Sequence, residues 1–164
     1  MIGDSTYYDD TSTRVLALLR DTFGEQFKAY FDGEAEPSEG YLPCIIVSNL
    51  RSQVDFSATG TDVITDDIQI VLCRNLKDDL GAAPDKNLTE YILRKQVSGQ
   101  DPVTKQYVPQ SVLGALRTNI TLVDSTIDTK VSINYTQNYR GNIAVREAYI
   151  TLQTVHRVQV PLRT

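Results

Sequence analysis

The sequence is poor in the side chains that carry covalent and metal chemistry: 164 residues hold one histidine, two cysteines and no tryptophan. A single imidazole excludes any mechanism or metal set built on paired histidines, and two thiols are too few for the disulfide framework of a small secreted domain. His156 lies on the apolar parity of the last strand with no serine, cysteine or aspartate motif beside it, the setting of a structural imidazole rather than a general base. Cys44 and Cys73 both fall inside apolar runs of β character and read as core filling. The nine glycines form neither G-x-G-x-x-G nor G-x-x-x-x-G-K-[ST], so there is no phosphate cradle. No catalytic, cofactor-binding or metal-ligating residue is assigned on these grounds. No apolar run is long enough to span a bilayer, and Met1-Ile2-Gly3-Asp4 has neither a basic flank nor an apolar leader. A soluble protein made in the cytoplasm, with no membrane partner, is expected. With 16 basic against 21 acidic residues and a net charge of −5, the chain lacks the basic stripe that grips nucleic acid through its phosphates.

Carboxylates are the one titratable class in good supply. Asp62, Asp66 and Asp67 cluster before a strand, and hard cations do use such groups. The spacing lacks the glycine and terminal glutamate of a calcium loop, and no lysine follows two residues after one of these acids on the strand, as a metal-dependent nuclease core would want. All three, like Asp78 and Asp79, are expected to be solvated loop carboxylates. A small metal-dependent hydrolase or ligand-binding domain built on Asp62, Asp66 and Asp67 stays as the remote alternative.

What is present is periodicity. Residues 1–12 are polar and acidic with Tyr7 and Tyr8 embedded, and read as a flexible arm that a partner would order. Leu16, Leu19, Phe23, Phe27 and Tyr30 recur at three and four, which predicts one helix, capped by Asp10, Thr11 or Ser12 and ended by Phe31-Asp32-Gly33. An acidic Pro/Gly/Ser loop over 34–40 follows, then the β-branched run Leu42-Pro43-Cys44-Ile45-Ile46-Val47-Ser48, as expected of a strand covered on both faces. Gln53 to Ser57 alternates weakly, Gly60 breaks it, and Ile64, Ile68, Ile70 and Leu72 share one parity: a hairpin leading into a central strand. Two short helices are predicted at Leu88 to Val97 and Ser111 to Asn119, separated by a loop with two prolines and a glycine. From Lys130 the alternation is the strongest in the chain. Val131, Ile133 and Tyr135 face one way, and after Gly141-Asn142 come Ala148, Ile150, Leu152, His156, Val158 and Val160.

The fold class is therefore α+β: a mostly antiparallel sheet with helices on one face and a long C-terminal β-hairpin, forming one domain over 13–164. A domain of this length buries roughly 70% of its unfolded surface and folds without staples. The last strand, uninterrupted from Glu147 to Val160, would run ~45 Å at about 3.3 Å per residue, more than so small a globule covers on both faces; the alternative to an assembly surface is a bent or bulged strand inside a monomer. Its other parity, Tyr149, Thr151, Gln153, Val155, Arg157 and Gln159, is mixed rather than charged, the composition of a surface that meets protein.

Several segments carry a family resemblance. The end of the first helical pattern, Lys28-Ala29-Tyr30-Phe31-Asp32-Gly33, followed by an acidic loop, the Leu42-Pro43-Cys44-Ile45-Ile46-Val47 strand, the Asp67-Ile68-Gln69-Ile70-Val71-Leu72 strand and a last strand closing near Val160, resembles bacteriophage tail terminator and tail-completion proteins. The resemblance covers roughly residues 13–74 and 143–160; residues 75–128 would be a family-specific elaboration. It implies a virion structural protein, not an enzyme, without cofactor, that forms a hexameric ring with copies of itself, caps the tail tube, stops its polymerisation and joins it to the neck or head connector. Phage DNA would pass the lumen without specific binding. The alternative in the same particle is another neck connector ring, or in a contractile tail a sheath-capping relative. Contact residues are expected at Tyr7 and Tyr8 in the arm, Glu36 and Glu39 in the acidic loop, Tyr107 in the 101–109 loop, and Tyr149, Val155 and Arg157 on the last strand.

Overall fold

The structure, a computed structural model, describes residues 10–120 and 125–161. Helix α1 (Thr11–Phe23) starts where the Asp10 carboxylate accepts the Thr13 N–H at 2.9 Å, occupying one of the donors a helix N-terminus leaves open. Thr11 and Ser12, expected as the end of the arm, thus belong to the helix that Asp10 caps, and both are buried; residues 1–9 lie outside the described residues. Asp10→Ala should cost about 1 kcal/mol, the usual worth of an N-cap, read as a lower urea midpoint. Burial pulls this carboxyl upward, but the Thr13 N–H, the Ser12 and Thr13 hydroxyls and the Arg14 charge outweigh it and hold it below its ordinary 3.8. The cap's contribution is therefore complete above that value and disappears as pH falls through the depressed one.

The helix ends earlier than its apolar spacing predicts. Gly24, at φ +52°, breaks it and donates back to the Arg20 carbonyl, and after a single tight turn the chain becomes strand β1 (Ala29–Asp32). Phe27 and Tyr30 continue the three-four spacing because both pack on the same core as Phe23, the rings stacking edge-on at 5.1 and 6.3 Å. The spacing is real, but only its first part is helical.

Five strands form one sheet in the order β1-β2-β3-β5-β4, with β2 (Cys44–Asp55), β3 (Thr61–Asn75), β4 (Ser125–Arg140) and β5 (Ile143–Gln159). Only β1·β2 is parallel; the rest are antiparallel, so the sheet is mostly antiparallel with a C-terminal hairpin. That hairpin turns through Gly141 and Asn142, Gly141 taking φ +59° at the first loop position, as a two-residue turn of this kind requires.

Among the described residues the three α-helices lie on one face. Val15, Leu16, Leu19 and Phe23 of α1, Leu93 and Val97 of α2 (Thr89–Ser98), and Val112 and Leu116 of α3 (Val112–Thr118) meet Ile45, Val47, Ile68, Ile70, Leu72, Ala148, Ile150 and Leu152 of the sheet. The segment expected as an elaboration, 75–128, thus supplies four side chains to the main core. Asp79, expected in solvent, accepts both the N–H and the hydroxyl of Thr89 at 2.8 and 2.7 Å and caps α2 from ten residues upstream. The other face carries a smaller core of Leu42, Cys44, Ile46, Val71, Cys73 and Val145 under the 33–42 loop. Cys44 and Cys73 are directly opposed, both buried and free. The bond to Cys44, then burial, push the Cys73 thiol far up, which makes it unreactive.

Candidate assembly surface

The sheet is longer than its helical cover. β2, β3, β4 and β5 run 12, 15, 16 and 17 residues against a usual five or six, and no side chain of the main core lies beyond Ile68 on β3 or Leu152 on β5. Past that level the strands continue to the turn at Gly60, where Val160 N–H closes the tip by donating to the Gly60 carbonyl at 2.8 Å. This distal end exposes Leu50, Val54, Phe56, Val158 and Val160, with Phe56 88% exposed. Scattered surface apolars need no explanation, but five gathered on the unsupported end of one sheet make a patch of the kind that meets another protein.

Beneath that end lies a buried polar cluster. Even-numbered residues of β3 face the helices, so Asp66 does too, and it is 2% exposed rather than a solvated loop carboxylate. Its Oδ1 accepts the Ser52 hydroxyl at 2.5 Å and the Asn49 amide at 3.1 Å, and its Oδ2 stands 3.5 Å from His156 Nδ1. A serine, an aspartate and a histidine in one place invite a catalytic reading, which the geometry refuses. The carboxylate sits between the hydroxyl and the imidazole, so the imidazole is not placed to take the serine proton, whereas a nucleophilic triad needs the base in the middle. The cluster instead pins the β2 bulge at Leu50 to β3 and β5. Asp67 points to the opposite face from Asp62 and Asp66, and Asp62 accepts the Ser57 N–H at 3.2 Å, so the three acids form no ligand set. Among the described residues no three histidine, cysteine, aspartate or glutamate side chains are grouped to hold a metal ion, and no helix is long and apolar enough to cross a membrane.

At the proximal end, near the Gly141 turn, Glu147 is fully buried and receives Arg140 Nε at 2.7 Å and the Tyr149 hydroxyl at 3.0 Å. Arg140 Nη1 also donates to the Ala35 carbonyl at 3.0 Å, tying the 33–42 loop to the hairpin. Burial by itself lowers the Arg140 guanidinium, but the bond to and charge of Glu147 outweigh it and raise it overall. Burial, then the Glu147 charge, raise the Tyr149 phenol.

The expected contact residues are dispersed over this frame. Tyr7 and Tyr8 lie outside the described residues. Glu36 is exposed on the loop, and Glu39 is paired with Lys77 at 3.0 Å at the proximal end. Tyr107 bridges Gln100 beside α2. Tyr149 is committed to Glu147 inside the subunit, while Val155 and Arg157 stand on the helix-free face of the distal end, with Val63 and Thr65 as their β3 partners. Only the last two adjoin the apolar tip. Phe56 and Leu50 carry no sequence signal, because their exposure follows from strand lengths and a bulge visible only once the register is known. No protein-family model matches the chain, and no curated protein matches it.

Proposed function

We propose that this chain is a non-catalytic structural subunit that assembles with copies of itself into the hexameric ring that caps a bacteriophage tail tube, ends its polymerisation and joins it to the neck. The observation that carries the reading is the distal end of the sheet: four strands of two to three times the usual length, unsupported by helices and tipped with five exposed apolar side chains. A monomer gains nothing from such an end, whereas a ring subunit buries it. The mechanism is geometric. One face of the ring complements the last tube ring, the other no longer offers the surface a further tube subunit needs, and cyclic closure leaves no growing end. The acidic balance suits a lumen through which DNA slides, since carboxylates repel phosphates.

The test is the mass of the purified protein by light scattering, alone and mixed with tail-tube protein, followed by electron microscopy. A closed ring, or a subunit that becomes a ring on tube ends and halts their growth, supports the reading. A monomer indifferent to tubes removes it. A ring that ignores tubes but binds the head connector identifies the neck alternative.

A further inference from the structure

Two sheet edges are open, one uncharged and one that carries the Leu50 bulge. On one side β4 is the outermost strand, and its stretch 131–139, Val-Ser-Ile-Asn-Tyr-Thr-Gln-Asn-Tyr, contains no charge and no proline. Edge strands that stay free are normally short, charged, bulged or interrupted by proline, and a long uncharged edge is a template for another strand. On the other side β1 covers β2 only from Cys44 to Val47, so Ser48 to Asp55 has no strand partner there among the described residues. We propose that the β4 edge of one copy pairs with the uncovered part of β2 in the next, so that the sheet continues from subunit to subunit around the ring. This rests on the ring reading above and names its interface.

Direction and chemistry both favour this occupant. Within one sheet β2 and β4 run antiparallel, because two antiparallel steps lead from β2 to β5 and a third leads on to β4. Adding the next copy without inverting it therefore gives antiparallel pairing. On the helix side, Val131, Ile133 and Tyr135 of β4 would meet Val54 of β2, with Ser52 and Asn49 on the same face already bonded to Asp66; on the other, Ser132, Asn134 and Thr136 would meet Arg51 and Gln53. The polar face thus meets polar side chains, and Val54 gives the apolar face its one apolar contact. Since β1 blocks the proximal part of β2, the incoming strand must be shifted toward the distal end, the stagger that closing a sheet requires.

The Gly141-Asn142 turn fixes which amides are free. Arg140 and Ile143 flank a two-residue loop and form a hydrogen-bonded pair, so alternation leaves the odd residues of β4 with N–H and C=O pointing away from β5. Side chains already serve the proximal end of this row: Asn138 Oδ1 accepts the Tyr139 N–H at 2.8 Å, and the Thr136 hydroxyl donates to the Gln137 carbonyl at 3.1 Å. Ile133, Tyr135 and Gln137 retain outward amides.

Hydrogen exchange resolved to single amides, on the ring and on the dissociated subunit, tests this. Expected is protection of Ile133, Tyr135 and Gln137 only in the ring, at least tenfold, with Asn134 and Thr136 protected in both. Gln137→Pro removes an outward donor without touching the β5 ladder, so it should leave a folded subunit by circular dichroism and no ring by light scattering. A ring with those three amides unprotected overturns the edge pairing and leaves the ring reading standing, whether or not Gln137→Pro folds. Wild-type protein that never assembles, even on tube ends, overturns both.

Discussion

Arg140→Ala is expected to destabilise the subunit by about 3–5 kcal/mol, the cost of leaving a buried charge without its partner. Glu147 has no solvent to turn to: it is 0% exposed and its oxygens face Arg140 and the Tyr149 hydroxyl. The guanidinium also holds the Ala35 carbonyl, so its loss frees the 33–42 loop from the hairpin and opens the smaller core beneath. In contrast, replacing both charges by apolar groups of similar shape, Arg140→Met with Glu147→Leu, should cost under about 2 kcal/mol, since neither then pays desolvation. Urea denaturation of Arg140→Met, Glu147→Leu and the double measures the coupling. Equal losses in Arg140→Ala and in the double variant would mean that the side chains matter as packing and not as a pair.

The pair shows why some of the architecture is legible in the sequence and some is not. Periodicity found α1, the central strand and the hairpin because each buries one stripe, and it found the cysteines because they sit within apolar runs. It overran the end of α1, since Phe27 and Tyr30 reach the same core from outside the helix and preserve its spacing. Asp66 clusters with Asp62 and Asp67 and so reads as solvated, but its parity, shared with Ile64, Ile68, Ile70 and Leu72, points inward. Arg140 and Glu147 could have been paired from the two-residue turn, which fixes the register and puts both on one face. The mixed odd parity of β5 reads as one surface, but its proximal half is covered by Phe31 of β1 and by Ala35 and Leu42 of the 33–42 loop, a cover that does not extend to the distal half. Long-range cover of this kind has no local sequence signal.

That division moves the test of assembly. A charge at Tyr149 would break a contact inside the subunit, so loss of oligomer there proves nothing. A charge at Phe56 does not have that fault, because the side chain touches little of its own chain and lies at the tip of the β2–β3 hairpin. Phe56→Glu should leave the thermal midpoint within a few degrees of wild type while shifting the scattering mass from ring to subunit. Burying a phenylalanine contributes ~1.5–3 kcal/mol, and a carboxylate left unpaired at the same place adds desolvation. A loss of about 3 kcal/mol at one contact is roughly a 140-fold fall in its affinity. In a cyclic assembly the same contact recurs at every interface, so the penalty is levied at each joint and closure fails at concentrations where wild type is fully assembled. Leu80→Glu is the control: that leucine is 78% exposed, but it lies at the proximal end, beside Asn142 and Ile143, and the pairing proposed above is shifted toward the other end, so the ring should survive. If Leu80→Glu dissolves the ring and Phe56→Glu does not, the interface lies at the other end of the sheet.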